Sequence, residues 1–478
     1  MAEITRLVPQ PSPAPTGEVE EALYAVRQKI YPRAVTGVFA RWRVFLVLFT
    51  QVVFYGAPWL TWGDRQAVLF HLVERKFYIF GLVLWPQDFI WLTGLLIISA
   101  LSLFLFTAVA GRLWCGYACP QTVYTELFMW IERRIEGDRM KRMKLDQAPW
   151  TVHKMLVKSA KQAAWIAVAL WTGYTFVGYF TPIKALGTEI LTFDLGPWET
   201  FWILFYGFAT YGNAGHMREQ VCKYMCPYAR FQSVMFDQDT LVITYDRKRG
   251  EPRGSRSKSA DRIAQGKGDC VDCGICVQVC PTGIDIRKGL QYECIGCGAC
   301  IDGCDQVMEK MNYPKGLIRY STENALAGKY PERTITQHIL RPRTAIYGTL
   351  LLVVMTAFSV TLAMRTPLRV NVIRDRAALE RETSDGLIEN VYRLQIMNMA
   401  DKPRKFALSV AGIDGIRIEH DLKEVELPAL GSRVVPIDVA ADPANLKGTH
   451  TPIRVNVEAR DDPGVKVETK SVFLAPAR

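Results

Sequence analysis

The pattern of apolar and polar residues changes period along this chain. Uncharged apolar runs occupy residues 44–62, 89–111, 162–180 and 344–364. Each is close to the ~20 residues an α-helix needs to cross a bilayer core. A shorter run at 200–215 is assigned as a fifth span, with a buried or re-entrant helix as its alternative. Residues 77–85 are too short to cross and are assigned to the interface. Beyond residue 367 the period drops to two. Short alternating runs at 368–372, 391–396, 406–410, 416–419, 434–439, 453–457 and 465–473 are separated by turn signals such as Ser384-Asp385-Gly386, Asp414-Gly415 and Asp461-Asp462-Pro463-Gly464. About seven strands at that spacing predict an immunoglobulin-like sandwich. It lacks the Cys…Trp…Cys core, and its His420 and His450 form no metal cluster, so a docking module is expected.

Charge sets an orientation. Arg112, Arg133, Arg134, Arg139, Lys141, Arg142, Lys144, Lys154, Lys158 and Lys161 lie between the second and third runs, against Lys184 alone between the third and the short one. Cytoplasmic loops carry the excess of Lys and Arg. The first segment is therefore read as cytoplasmic, together with the N-terminal tail entering through Arg41 and Arg43 and the stretch from His216 to Arg343. Five spans then put the C-terminus outside. The tail carries Glu3, Pro9, Pro11, Pro13 and Pro15 and no apolar stretch, so it is read as a flexible Pro-rich segment without a cleavable signal peptide.

The domain plan is a cytoplasmic tail over 1–40, a membrane domain with four spans over 41–240 and a cytoplasmic domain over 241–340. A fifth helix over 341–366 and an external domain over 367–478 complete it. The fold class is mixed: a five-helix α-helical membrane domain, a two-cluster bacterial ferredoxin-like insert and an all-β immunoglobulin-like sandwich. A mean hydropathy of +0.06 over 478 residues suits a membrane core with soluble appendages. The net charge of +11 crowds beside apolar runs, which argues for membrane topology and against nucleic acid.

Cysteine spacing supplies the chemistry. Cys270, Cys273, Cys276 and Cys280 read C-x2-C-x2-C-x3-C and precede Pro281; Cys294, Cys297, Cys300 and Cys304 repeat the spacing, with Asp305 in place of the proline. This is the two-cluster ferredoxin signature, in which the fourth cysteine of each run ligates the other cluster. One [4Fe–4S] cluster is thus assigned to Cys270, Cys273, Cys276 and Cys304, the other to Cys294, Cys297, Cys300 and Cys280. A zinc site needs four ligands and has no use for a doubled run with crossed spacing. Clustered thiol ligands suit a reducing compartment.

The remaining four cysteines form a repeat, C-x-Y-x-C-P, at Cys115–Cys119 and Cys222–Cys226. Each copy follows an apolar run. If helical, the i, i+4 spacing puts both sulfurs on one face, with the proline in the first turn of the next helix. The pairs could converge on a thiolate site for Cu(I) or another cluster, act as redox dithiols, or be buried and inert. Met225 is a soft side chain between Cys222 and Cys226, with core packing its more ordinary role. His153 and His216 lack partners at i+3 or i+4, which favours loop roles over quinone or haem binding. No G-x-G-x-x-G opens a βαβ unit, so bound NAD or flavin is not expected. The basic linker 247–267 is read as solvated and lipid-facing, with docking of an acidic electron donor as the alternative.

Together, five spans, two C-x-Y-x-C-P motifs, a two-cluster insert and an external β-sandwich resemble the family of cytochrome c oxidase accessory proteins known as CcoG, FixG or RdxA. The resemblance covers the chain beyond its tail. It implies a bacterial inner-membrane oxidoreductase that converts Cu(II) to Cu(I) for assembly of the cb-type oxidase. Copper is then the substrate, and a copper-exporting P-type ATPase and oxidase assembly factors are partners. The eight ferredoxin cysteines would carry the clusters; Cys115, Cys119, Cys222 and Cys226 would carry the copper or redox role. The donor is unspecified, and a second copy of the chain is a further candidate partner. Two other functions compete: a quinol-oxidising membrane subunit of the NapH type, which lacks the external sandwich, and a redox-sensing assembly scaffold without turnover.

Overall fold

The computed structural model describes residues 29–258, 265–374, 381–419, 424–446 and 448–476. Most of the Pro-rich tail, with Pro9, Pro11, Pro13 and Pro15, and His420 lie outside the described residues. The chain divides into two compact units. Among the described residues, three helices are long and apolar enough to cross a membrane: Val38–Trp59, Pro86–Ala110 and Pro342–Ala363. Little or none of their apolar surface is buried within the protein, as expected of side chains that meet lipid. The other two expected spans are helical but different in kind. Val152–Val177 carries Lys154, Lys158 and Lys161 in its first half. Pro197–Thr210 has 14 residues, about 21 Å at 1.5 Å per residue, and continues as a π-helical stretch over Tyr211–Met217.

The first unit takes in residues 1–53, 103–174 and 200–345. Its cysteine-rich part has little regular structure. The strands Val242–Tyr245 and Ile318–Ser321 pair antiparallel, and the helices Ile275–Gln278 and Ala299–Lys310 each follow a C-x2-C turn. Ile243, Tyr245, Ile286, Ile301, Met308, Leu317 and Ile318 form a core that encloses Cys270, Cys276 and Cys304. The helix Val38–Gly56 docks onto this part by its first turn. Asp302 accepts from the backbone N–H of Ala40 at 2.7 Å and of Phe39 at 3.3 Å, which satisfies donors that a helix start otherwise leaves unpaired.

Many lysines and arginines counted above as topological markers also hold this unit together. Glu132, 1% exposed, lies 3.0 Å from both Arg142 and Arg218. Lys158 and Lys161 pair with Glu136, and Lys161 lies over the Trp165 ring at 4.6 Å. Burial disfavours the Glu132 carboxylate, but Arg218, Arg142 and Lys161 outweigh it and hold its pKa below the ordinary range.

The second unit takes in residues 54–102, 175–199 and 346–478. Its C-terminal part is a two-sheet antiparallel sandwich. One sheet runs Arg417–Glu419, Ser432–Ala441, Ile388–Asn398, Leu368–Arg374, with Arg381–Glu382 also on Ile388–Asn398. The other runs Glu424–Leu427, Arg404–Ala411, His450–Ala459, Asp462–Leu474. Alternate residues such as Tyr392, Leu394, Phe406, Val439, Val455 and Phe473 fill the space between them. Two strands escaped the sequence reading. Arg381–Glu382 is too short to show a period, whereas Glu424–Leu427 alternates cleanly and was legible. Residues 77–85 are largely sheet: Val68–His71, Lys76–Ile79 and Leu82–Leu84 make a three-stranded antiparallel sheet whose Leu69, Tyr78 and Val83 pack with Met397 and Met399.

Candidate metal centre

All twelve cysteines belong to the first unit, and none forms a disulfide. Each ferredoxin run begins as a loop and passes into a helix; Cys280 lies just past the first helix and Cys304 within the second. The turns need glycine: Gly298 has φ +72°, and a Cβ there would sit 2.8 Å from the Phe39 side chain. Only glycine combines that backbone with so close a neighbour.

The fold brings the fourth cysteine of each run to the other run. Cys280 shares an enclosed cavity with Cys294, Cys297 and Cys300, and Cys276 lies on its wall. Cys304 lies within electrostatic reach of Cys276, Cys270 and Cys273. The first cavity is otherwise lined by Thr282, Ala299 and isoleucines, with no carboxylate or imidazole. Donors that are all thiols in an apolar enclosure fit an iron–sulfur cluster and exclude hard cations. Burial pushes the Cys276 thiol up to about 11 and Cys304 up to about 12. Left alone, such thiols stay protonated; ligation must release the protons, and the bound cation offsets the penalty. Cys273 alone among the twelve is exposed.

The C-x-Y-x-C-P motifs are helical only in part. Cys115 lies in the short helix Leu113–Tyr117 and Cys222 in the π-helical turn Val221–Met225. Cys119 and Cys226 are extended, with φ/ψ of −61°/128° and −80°/109°, and flank the helices Pro120–Glu136 and Pro227–Val234. The proline excludes the α-conformation from the residue before it, so i, i+4 helical spacing does not set the sulfur positions. The prolines do stand in the first turn of the following helices.

The fold nonetheless gathers the two pairs. Cys222 senses the charges of Cys119, Cys115 and Cys226, and burial with those neighbours raises its thiol to about 12. Among the described residues, no three His, Cys, Asp or Glu side chains converge on one metal ion. Cys115 donates to Gln232 Oε1 at 3.3 Å. Arg112 donates to the Tyr292 carbonyl, and its charge favours the Cys115 thiolate against the burial that raises that thiol. Met225 is 57% exposed, so it neither joins the thiols nor packs in a core. His153 is exposed, and the His216 ring packs against Tyr211 in a tilted arrangement, 56° between planes with ring centroids 4.9 Å apart.

The two constellations touch. Cys115 packs with Ile295, Cys297 and Ala299. A Cβ on Gly116 would lie 2.8 Å from both Cys297 Cα and the Ile295 carbonyl. On the other side, Cys222 and Cys297 line one small cavity of about 30 Å³ with Arg43, Glu126, Arg218 and Glu219, enough for one or two waters. Sequence reasoning treated Arg43 and Arg112 only as topological charges and passed over Gln232 and Glu126. Much of their role depends on contacts between distant segments, such as Cys115 with Gln232 and Arg112 with Tyr292, which no local pattern reveals.

Comparison with known proteins agrees with these features. A 4Fe-4S dicluster domain matches residues 217–323, a 4Fe-4S binding domain residues 91–137, and the IG-like fold at the C-terminal of FixG residues 358–476. The chain is 39% identical to the nitrogen fixation protein FixG of Rhizobium meliloti over 83% of its own length and 81% of the relative's. It is 39% identical to protein RdxA of Cereibacter sphaeroides over 95% and 99% of the two lengths, and to protein RdxB of the same organism over 91% and 94%.

Proposed function

The chain belongs to the FixG/RdxA family, and on that premise we propose that it is a membrane electron-transfer protein that reduces Cu(II) to Cu(I) for assembly of a cb-type cytochrome oxidase. It carries iron–sulfur domains and helices suited to a membrane. The observation that carries the reading further is the contact of Cys115 and Gly116 with the Cys297 loop. It sets a second group of thiols directly against the ferredoxin cysteines.

In this reading Cys270, Cys273, Cys276 and Cys304 hold one [4Fe–4S] cluster, and Cys280, Cys294, Cys297 and Cys300 the other. Bound there, the clusters supply reversible one-electron storage. Cys115, Cys119, Cys222 and Cys226 take the copper. Soft thiolates favour Cu(I), so they bind the product more tightly than the substrate and draw the reaction forward. The balance is one electron per Cu(II), with no bond to carbon made or broken. The charge of Arg112 favours the Cys115 thiolate. Gln232 orients that sulfur. Exposed Cys273 marks the side a donor reaches.

The helices Val152–Val177 and Pro197–Thr210, the latter extended by its π-helical turn, complete five spans. The tail and both thiol groups are then cytoplasmic and the sandwich periplasmic, in a bacterial inner membrane. Copper reduced there would lie where a copper-exporting P-type ATPase loads. The test is anaerobic stopped-flow: chemically reduced protein is mixed with Cu(II), and cluster absorbance is followed beside a Cu(I)-specific chelator. Cluster reoxidation matched by Cu(I) formation, and lost when the paired-motif cysteines are replaced, is expected. Clusters that stay reduced with copper but reoxidise with quinone would sink the copper assignment.

A second reading has its own support. The 4Fe-4S binding match over 91–137 includes Cys115 and Cys119, so the four paired-motif cysteines could hold a further cluster. Iron content distinguishes the two: replacing those cysteines lowers it only in the second.

A further inference from the structure

We propose that Arg43 raises the reduction potential of the cluster held by Cys280, Cys294, Cys297 and Cys300 above that of its neighbour, so that electrons collect at the face shared with Cys115 and Cys222. This rests on the two-cluster reading of the eight cysteines and not on the copper assignment.

The geometry comes from the first helix. Phe39 and Arg43 are i, i+4 neighbours on one face of Val38–Gly56. Phe39 packs so close to Gly298 that a Cβ there would meet it at 2.8 Å, and Asp302 anchors the same turn. The docking delivers the Arg43 guanidinium, 8% exposed, to the wall of the small cavity that Cys297 also lines, where its charge acts on that thiol. The Nε atoms of Arg43 and of Arg112, whose charge reaches Cys294, find no hydrogen-bond partner. Glu126 is the carboxylate acting on both Arg43 and Cys297, and it pairs with Arg133 at 3.3 Å.

The other cluster has the opposite surroundings. Arg287, whose charge acts on Cys276, is tied to Asp285 at 2.8 Å and to Asp272 at 2.5 Å. Asp305 acts on Cys304. The added electron makes a cluster more negative, so a buried guanidinium whose charge acts on a ligand sulfur favours the reduced form, and Glu126, which Arg133 partly neutralises, offsets only part of that effect. One electron passing from the first cluster to the second oxidises one and reduces the other, and this charge pattern makes that direction downhill.

The test is a potentiometric titration of the purified full chain, followed by electron paramagnetic resonance in copper-free buffer. Arg43→Gln is expected to lower one of the two midpoints by a tenfold change in the reduced-to-oxidised ratio, 59 mV for a one-electron couple. Arg43→Lys should restore much of it. Glu126→Gln should raise the same midpoint. With Cys273→Ser, which removes the other cluster, the surviving signal should still show both shifts. Unchanged midpoints, equal shifts in both clusters, or shifts of the same sign from Arg43→Gln and Glu126→Gln would overturn the proposal. Should Arg43→Gln lose iron, the sign of the Glu126→Gln shift decides. Failure of the two-cluster reading would show separately, as fewer than two [4Fe–4S] signals in the unsubstituted protein.

Discussion

Gly116→Ala tests the contact through which the proposed electron transfer would pass. The added methyl would lie 2.8 Å from Cys297 Cα, 2.8 Å from the Ile295 carbonyl oxygen and 2.9 Å from the Cys297 nitrogen. All three are backbone atoms in a loop held by ligand cysteines, so no side chain can swing away. Overpacking of this kind costs about 1–3 kcal/mol, which is roughly 2–4 °C in Tm per kcal/mol for a unit of this size. The strain is relieved by moving the helix Leu113–Tyr117 away from the Cys297 loop, and Cys115 moves with it. Iron content should stay the same, because the eight ferredoxin cysteines keep their own turns. Thermal unfolding followed at the cluster absorbance, together with the stopped-flow rate of cluster reoxidation by Cu(II), reads both effects. A lower Tm and a slower rate at full iron content are expected. Unchanged stability and rate would refute the claim that this contact couples the two thiol groups.

Cys115→Ser with Cys222→Ser should keep both ferredoxin clusters but abolish Cu(I) formation, measured by iron analysis and the chelator assay; a drop in iron would instead favour the further cluster. Cys273→Ser should remove one of the two [4Fe–4S] signals. Glu132→Gln leaves the buried Arg142 and Arg218 without their shared carboxylate, a loss of about 3–5 kcal/mol visible as a lower Tm. In the native protein the depressed Glu132 pKa means its stabilisation is complete above the unfolded carboxylate value of about 4.3. It is lost as pH falls through the lower folded value, so Tm measured against pH should fall in that acid range and fall less in Glu132→Gln. In the second unit Asp88, fully buried between Arg365 at 2.6 Å and Arg369 at 2.9 Å, should be as sensitive: Asp88→Ala is expected to lower the melting temperature of the sandwich.

Much of this molecule is written in local patterns. A run of eight cysteines at C-x2-C-x2-C-x3-C spacing specifies ligands because thiolate chemistry and turn length leave few alternatives. Period-two alternation located the main strands, since one face of each must be buried, and long uncharged runs became the three apolar helices. Family resemblance was equally legible, because it depends on the order of such motifs. Local spacing left the shape of the C-x-Y-x-C-P pairs open, and there proline holds Cys119 and Cys226 extended. It could not say that Cys115 would lie against Cys297, that Arg43 would line a cavity with Cys297, or that Glu132 would neutralise arginines that read as topological charges. Those facts join residues far apart in sequence. They exist only once packing has brought segments together and excluded water, because burial is what turns an ordinary charge or thiol into one whose neighbours control it.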